Sequence, residues 1–122
     1  MSLFAVTYAH PDPVGWQQHL AAHLDWIVEQ VEAGVLLASG PTTQRDTAIR
    51  TAALIFHCSD DQVLNQLLET DPYVVHGQVS NMEIVSWDPI FGILNSKSSR
   101  RNESAESIVA DILSQYGPSS TG

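Results

Sequence analysis

Two residues of the sequence, His23 and Asp71, are of the types that transfer protons together in enzymes. His23 falls within a helical pattern, seven residues after Trp16 and four before Ile27, on the flank of an apolar stripe. Asp71 follows a second helical pattern and directly precedes Pro72. A carboxylate beside an imidazole fixes the tautomer of the ring and stabilises its charged form. If the two segments lie side by side, the pair forms a candidate acid–base site.

Each of the two residues also has a structural explanation that needs no catalysis. For a histidine on the flank of a helix, taken alone, burial in the core with a hydrogen bond to a backbone carbonyl is the favoured explanation. Asp71 is predicted on the last turn of the second helix, where a carboxylate opposes the helix dipole at a cost of about 0.3–1 kcal/mol. An Asp-Pro pair often opens a turn. The residues alone leave the catalytic and structural interpretations open.

Other side chains are candidates for metal binding or nucleophilic chemistry. His19 and His23 stand four residues apart, which is metal-ligand spacing on a helix, but no glutamate follows His19 as in metalloprotease helices. A shared metal would need Asp71 or His76 as a third ligand. Cys58 is predicted to be a small buried hydrophobe. We predict no metal site and no cofactor.

The first half of the chain predicts a strand, a helix and a second strand. Residues 3–9 are apolar and β-prone, and residues 14–33 have helical periodicity that Gly34 ends. Residues 35–38 form a short apolar run typical of a strand, and a polar loop over residues 42–47 follows. The apolar stripe of the helix, predicted to face the core, consists of Trp16, Leu20, Leu24, Ile27 and Val31.

The second half of the chain repeats this order. Strands are predicted over residues 49–58 and 79–87, and Ser59 with Gln62 has the spacing of a capping box at the start of a second helix. That helix is expected to end near Asp71, because the residue before a proline disfavours the helical region. The βαββαβ order predicts an α+β, ferredoxin-like fold with a four-stranded antiparallel sheet and both helices on one face.

The C-terminal part of the sequence differs in composition. We predict a domain over residues 1–92, followed by residues 93–122 as a polar linker and a short amphipathic helix. Residues 95–107 are rich in serine, asparagine and charge, which is typical of a flexible linker. The apolar members of the helix, at helical spacing, are Ile108, Val109, Ile112, Leu113 and Tyr116.

Composition excludes several classes of function. The 122-residue chain has 14 acidic and 5 basic residues, and its net charge of −9 would repel nucleic-acid phosphates and anionic lipids. It shows neither a run of about eighteen apolar residues nor a signal-peptide pattern. The single cysteine fits a reducing compartment. We therefore expect a cytoplasmic protein that binds neither nucleic acid nor membrane.

Several short motifs together resemble the YCII family (YciI-like proteins). They are the helical His23-Leu24, the hairpin pattern from Gly34 to Pro41, the run Asp71-Pro72-Tyr73-Val74 with Gly77, and the closing strand from Ile84 to Trp87. The resemblance covers roughly residues 3–92. It implies a dimeric α+β barrel, in which two four-stranded sheets pack face to face. It also implies that His23 and Asp71 are the active-site pair.

The resemblance further implies a class of chemistry. A few relatives are similar to lyases or dehydrochlorinases that act on small ring compounds, and the superfamily includes muconolactone isomerases and cofactor-free monooxygenases. Many relatives carry an arginine about one helical turn before the histidine, where this chain has Leu20. If that arginine binds an anionic substrate in the relatives, this chain is expected to prefer a different one.

The leading hypothesis is a small cofactor-independent lyase or isomerase in which Asp71 orients His23. Trp16 and Tyr73 are candidate pocket residues, with a core or dimer-contact role as the alternative, and the turn Ser39-Gly40-Pro41 is predicted beside the cleft. A non-catalytic small-molecule binding module and a structural or interaction protein remain alternatives. Since helices cover one face of the sheet, a homodimer that pairs the open faces is also predicted.

Overall fold

The computed structural model of the chain describes residues 1–43 and 49–118, and its central element is a four-stranded antiparallel sheet. The strand order is β2-β3-β1-β4, so the first strand lies between the third and the fourth. This is the order of a ferredoxin-like sheet, and the predicted α+β fold class is confirmed. The strands are β1 (Ser2–His10), β2 (Leu36–Thr42), β3 (Arg50–Cys58) and β4 (Ser80–Trp87).

The helix predicted over residues 14–33 is divided into two, α1 (Pro13–Gln18) and α2 (Leu20–Glu32). His19, between them, leaves helical geometry with φ −102° and ψ 8°. The backbone ladder continues across this residue, since His19 N–H donates to the carbonyl of Gly15 at 3.1 Å. Gly34, with φ 76°, ends α2 as predicted, because glycine adopts the left-handed region without steric cost.

The face of α2 that packs on the sheet is rotated from the predicted one. Its buried residues are His23, Trp26 and Gln30, whereas Leu24 and Val31 are half exposed. Part of the predicted stripe, including Leu24, instead borders a cavity between α2 and the sheet. Apolar spacing identifies an amphipathic helix, but it does not distinguish a core from the wall of a cavity.

The second helical segment begins one residue later than predicted. Asp60, not Ser59, is the N-cap of α3 (Asp61–Leu68), and its Oδ1 accepts a hydrogen bond from Val63 N–H at 2.9 Å. The prediction of a capping box formed by Ser59 and Gln62 is therefore wrong. Asp60 has the extended backbone, with φ −161° and ψ 176°, that an N-cap residue needs. A separate one-turn helix, α4 (Pro72–Val75), follows α3.

The core lies between the helices and one face of the sheet. Cys58 is buried there, as predicted, and Trp26 of α2 packs against Phe56 of β3 with 6.4 Å between ring centroids. On the opposite face, Val85 is 56% exposed and Trp87 is 42% exposed. The buried core consists of Phe4, Val6, Tyr8, Trp26, Leu36, Leu54, Phe56, Cys58, Leu64 and Leu68.

The chain divides into two units, Met1–Trp87 and Asp88–Gly122. Within the second unit, a short 3-10 helix (Asn95–Lys97) precedes α5 (Ala105–Tyr116), and Arg100 forms an ion pair with Asp111 at 3.0 Å. The division at residues 92 and 93 stays a prediction. The loop predicted over residues 42–47 falls largely outside the described residues, as do positions 119–122. No helix in the described part of the chain is long and apolar enough to cross a membrane.

Candidate active site

Asp71 is the N-cap of α4 and does not lie on the last turn of the preceding helix. Its backbone is extended, with φ −62° and ψ 123°, and its Oδ1 accepts a hydrogen bond from Tyr73 N–H at 3.0 Å. Pro72 occupies the start of the helix, where no backbone N–H is needed. The predicted conflict between this carboxylate and a helix dipole is therefore wrong, because the carboxylate caps a helix N-terminus.

The carboxylate of Asp71 is completely buried and accepts three hydrogen bonds. Besides the Tyr73 amide, Oδ1 lies 2.8 Å from Nδ1 of His23, and Oδ2 accepts from the Tyr8 hydroxyl at 3.2 Å. These donors compensate for the loss of water around the charge. Burial and the charge of Asp71 raise the pKa of Tyr8 far above its usual value, so this hydroxyl stays protonated and donates.

The hydrogen bond to Asp71 fixes the tautomer of His23. Because a carboxylate oxygen accepts, Nδ1 carries the proton and Nε2 is left free to take up another. The ring of Tyr73 stacks on the imidazole with 4.2 Å between centroids, and Trp26 flanks the imidazole at 6.2 Å. Trp26 is itself held by a hydrogen bond from Nε1 to Thr70 Oγ1 at 2.9 Å. The imidazole is thus oriented by packing as well as by charge.

His23 forms part of the wall of a cavity of about 430 Å³ between α1, α2, α4 and the sheet. A volume of this size accommodates a small ring compound. The residues predicted to bind substrate all line the cavity, whereas Asp71 lies behind His23 and does not. These lining residues are Trp16, Ser39, Gly40, Pro41 and Tyr73.

His10, the last residue of β1 and one position beyond the strand predicted over residues 3–9, also lines the cavity. Its Nδ1 lies 2.9 Å from the carbonyl oxygen of Gln78, which can only accept, so Nδ1 carries the proton and Nε2 is an acceptor. Burial lowers the pKa of His10 below its usual value, which favours the neutral ring. The alternation of Val6, Tyr8 and His10 along the strand is the signal that could have identified it.

Arg50, at the first position of β3, is a second cavity residue that the sequence did not identify. Its guanidinium carbon lies 4.0 Å from the ring centroid of Trp16, a cation–π contact. The pairing of His10 with Arg50 across β1 and β3 brings both residues to the same end of the sheet. Only this register, which joins residues far apart in sequence, reveals the arrangement.

Histidines outside the cavity form a different contact. The rings of His19 and His76 stack with 4.0 Å between centroids and 8° between planes. Within residues 1–43 and 49–118, no three histidine, cysteine or acidic side chains converge in a way that could hold a metal ion. The spacing of His19 and His23 therefore does not produce a three-ligand site in this part of the chain.

Similarities to known proteins concern mainly the fold. A search of curated protein sequences finds no match. The chain is similar to 5-chloro-2-hydroxyhydroquinone dehydrochlorinase (TftG) from Burkholderia phenoliruptrix AC1100, which was solved with 2,5-dihydroxybenzoquinone. The two sequences are 20% identical, the TM-score is 0.56, and the match covers 70% of this chain and 93% of TftG. It is also similar to SnoaB, a cofactor-independent oxygenase from Streptomyces nogalater, at 11% identity and TM-score 0.45, covering 75% and 94%.

At 20% identity, the likeness to TftG concerns the fold alone. The model of the YCII-related domain matches residues 1–88, which is most of the chain. The matched range contains His23, Asp71 and the whole cavity. The resemblance seen in the sequence motifs is therefore confirmed, and the chain belongs to the family of YCII-related domains.

Proposed function

We propose that this protein is a small cofactor-independent enzyme of the lyase or isomerase kind, with His23 as general base and acid. The observation that carries the proposal is the 2.8 Å contact between His23 Nδ1 and the buried carboxylate of Asp71. It leaves Nε2 as the proton acceptor in a residue that lines the cavity. The proposed substrate is a small organic molecule, possessing a ring that fits between the aromatic walls formed by Trp16 and Tyr73.

The proposed reaction is a proton transfer without a change in oxidation state of the protein. Nε2 of His23 removes a proton from a carbon next to a carbonyl group or from a ring hydroxyl, and Asp71 stabilises the imidazolium that results. In an isomerisation, the same proton returns to a different atom of the substrate. In an elimination, the electron pair released by deprotonation expels a leaving group such as chloride, and the proton passes to solvent.

The names of relatives suggest which compounds to test first. TftG is named as a dehydrochlorinase of a chlorinated hydroxyhydroquinone and was solved with a dihydroxybenzoquinone. Since the cavity of this chain has the volume for one such ring, chlorinated hydroquinones, hydroxyquinones and small lactones are suitable probes. Loss of hydrogen chloride needs a base and no redox cofactor, which agrees with the proposed role of His23.

The proposal is tested by thermal-shift screening followed by incubation with each stabilising compound. Consumption is measured by chromatography, and elimination by release of chloride. The variants are His23→Gln, Asp71→Asn and, as a matched control, His76→Gln, which changes an exposed histidine that does not line the cavity. We expect His23→Gln to lower turnover roughly 10²- to 10⁴-fold and His76→Gln to leave it unchanged.

Two results would contradict the enzymatic proposal. A compound that binds with the wild type and is never consumed would favour a small-molecule binding module. If no compound binds, and His23→Gln only lowers the melting temperature, the pair of His23 and Asp71 is a structural hydrogen bond. Equal turnover by the wild type and His23→Gln would exclude His23 as the base.

We also propose that the protein forms a homodimer through the open face of the sheet. This face carries Ala5 and Ile55 at its centre and the more exposed Val85 and Trp87 on β4. Exposed apolar side chains on the sheet face opposite α2 and α3 are typical of an interface. Pairing two such faces would bury them while leaving α2, α3 and the cavity on the outer sides of the paired sheets.

A further inference from the structure

Arg50 is a cation at the cavity that has no carboxylate partner among the described residues. Its guanidinium lies over the ring of Trp16, with 4.0 Å between the guanidinium carbon and the ring centroid. A cation–π contact holds the charge over the ring without using a carboxylate as partner. Since no described carboxylate pairs with Arg50, its N–H donors are candidates for binding a ligand.

The charge of the surrounding unit makes this position unusual. Residues 1–87 contain ten of the fourteen acidic residues but only two arginines, Arg45 and Arg50, and no lysine. One of these two cations lines the cavity. The charge of Arg50 acts on another cavity residue, Tyr73. Burial raises the pKa of Tyr73 to about 12, and the positive charge of Arg50 opposes that rise. A cation at the cavity that has no carboxylate partner in residues 1–43 and 49–118 attracts anions to that point.

The lining of the cavity otherwise suits a flat, largely apolar molecule. Leu20, Leu24 and Ile27 of the helical segment form one side, and the ring of Tyr73 contributes an aromatic surface. His23 and His10 also line the cavity, and in their neutral forms the two rings carry no charge to balance an anion. Among the described lining residues, Arg50 alone carries a permanent positive charge.

We infer that Arg50 binds the anionic group of the substrate, so that the cavity selects planar ring carboxylates over neutral molecules of the same shape. The inference rests on the proposed function for the identity of the site and specifies its substrate class. Many relatives carry an arginine where this chain has Leu20. In this chain Arg50, at the start of β3, would supply the positive charge instead. Charge neutralisation by Arg50 would ease removal of a further proton by His23.

The test is calorimetric titration at neutral pH with matched pairs of ligands. The probes are benzoate, salicylate and 4-hydroxybenzoate, each set against its amide, which has the same shape and no charge. Calorimetry is preferable to tryptophan fluorescence, because replacement of Arg50 alters the surroundings of Trp16. The variants are Arg50→Gln, Arg50→Lys and His23→Gln, and Arg101→Gln is the control that removes one charge from a residue outside the cavity lining.

The wild type is expected to bind at least one carboxylate roughly ten- to a hundredfold more tightly than its amide, as for a charge-assisted hydrogen-bonded pair. Arg50→Gln should lose this preference while its affinity for the amide stays the same. Arg50→Lys should keep part of it, since a lysine retains the charge but not the planar donors. Arg101→Gln should behave as the wild type. Because Arg50 is exposed, its variants are expected to keep the wild-type melting temperature.

Failure of the inference can be distinguished from failure of the proposed function. The inference is overturned if no carboxylate binds at millimolar concentration, or if Arg50→Gln still prefers carboxylates. After either result, His23→Gln could still lower the turnover of compounds found by screening, and the proposed function would stand. Conversely, His23→Gln is expected to retain the preference for carboxylates. If His23→Gln retains this preference and also turns over every compound at the wild-type rate, selection of anions by Arg50 is supported. The proposed role of His23 in catalysis is then contradicted.

Discussion

At the scale of single residues, the site depends on how one buried carboxylate is compensated. Asp71 is held by Tyr8, His23 and the amide of Tyr73, so each oxygen has at least one donor. Removal of any donor would leave a buried charge partly unpaired, which costs more than an exposed hydrogen bond contributes. The orientation of His23 is therefore coupled to the integrity of the core, and not to the surface of the cavity alone.

His10 gives a pH-dependent contribution to stability whose sign follows from its surroundings. Burial, the largest effect, lowers its pKa in the folded state below the value of about 6.5 expected for the unfolded chain. Between these two values the unfolded chain binds a proton that the folded chain does not, so the free energy of unfolding decreases as pH falls. Side chains that act on its ring are Tyr8, Tyr73, His23, Asp71 and Arg50.

We therefore predict that His10→Asn flattens the loss of stability between about pH 7 and pH 5. The asparagine amide can still donate to the carbonyl of Gln78, but it does not titrate. At pH 8, the variant should be less stable by about 0.5–3 kcal/mol, because ring contacts with Tyr8 and Tyr73 are lost. Urea unfolding at a series of pH values measures both effects. Parallel pH profiles for the two proteins would contradict the assignment.

The catalytic candidates and the lining residues Trp16, Ser39, Gly40, Pro41 and Tyr73 were predicted from residue type and motif, whereas His10 and Arg50 were not. His23 and Asp71 are unusual for their predicted positions, one on an apolar flank and the other before a proline. His10 and Arg50 look ordinary in sequence, and their role follows from the register of β1 with β3, which pairs positions forty residues apart. Local patterns carry no information about such a pairing.

At the scale of elements, β1, β3 and β4 were predicted within one residue from apolar, β-prone runs, whereas β2 continues to Thr42 through the segment Ser39-Gly40-Pro41 that was wrongly predicted as a turn. Helix limits were less accurate. The rotation of α2 buries Trp26 against Phe56 of β3, a contact that no local pattern records. The start of α3 was predicted one residue early, since Ser59, Asp60 and Asp61 are all acceptable N-cap types in sequence.

The cap of α3 provides a direct test with a neighbouring control. Asp60→Ala removes the acceptor of Val63 N–H and should lower the free energy of unfolding by about 0.5–2 kcal/mol. Ser59→Ala changes an exposed residue that does not cap the helix and should alter stability by less than about 0.5 kcal/mol. Chemical denaturation of the two variants measures the difference. A larger loss for Ser59→Ala would restore the cap predicted from sequence.

At the scale of the whole molecule, the two faces of the sheet have different surroundings. The helices cover the face that carries Phe4, Val6 and Phe56, whereas Ala5, Ile55 and Val85 lie on the other. An interface on the open face would add stability that the isolated chain does not have, and it would make that stability depend on protein concentration.

We predict that Val85→Lys converts the proposed dimer into monomers, because a charged side chain would be buried at the interface without a partner. Val28→Lys is the matched control, since Val28 on α2 has nearly the same exposure, 53% against 56%, and lies on a helix outside the sheet. Sedimentation velocity at micromolar concentration should give the mass of two chains for the wild type and Val28→Lys. A monomeric wild type, or a dimeric Val85→Lys protein, would contradict the proposal.

The cluster around Asp71 has a consequence for the order of events in folding. Its hydrogen bonds join residues 63 positions apart (Tyr8 and Asp71) and 48 positions apart (His23 and Asp71). The entropy lost in closing such loops must be supplied by other contacts before these bonds form, and long-range contacts are associated with slow folding. A nascent chain that has not reached Asp71 contains the histidine without its partner. The pair of His23 and Asp71 therefore forms only after the chain has been synthesised through α4 and has packed against β1.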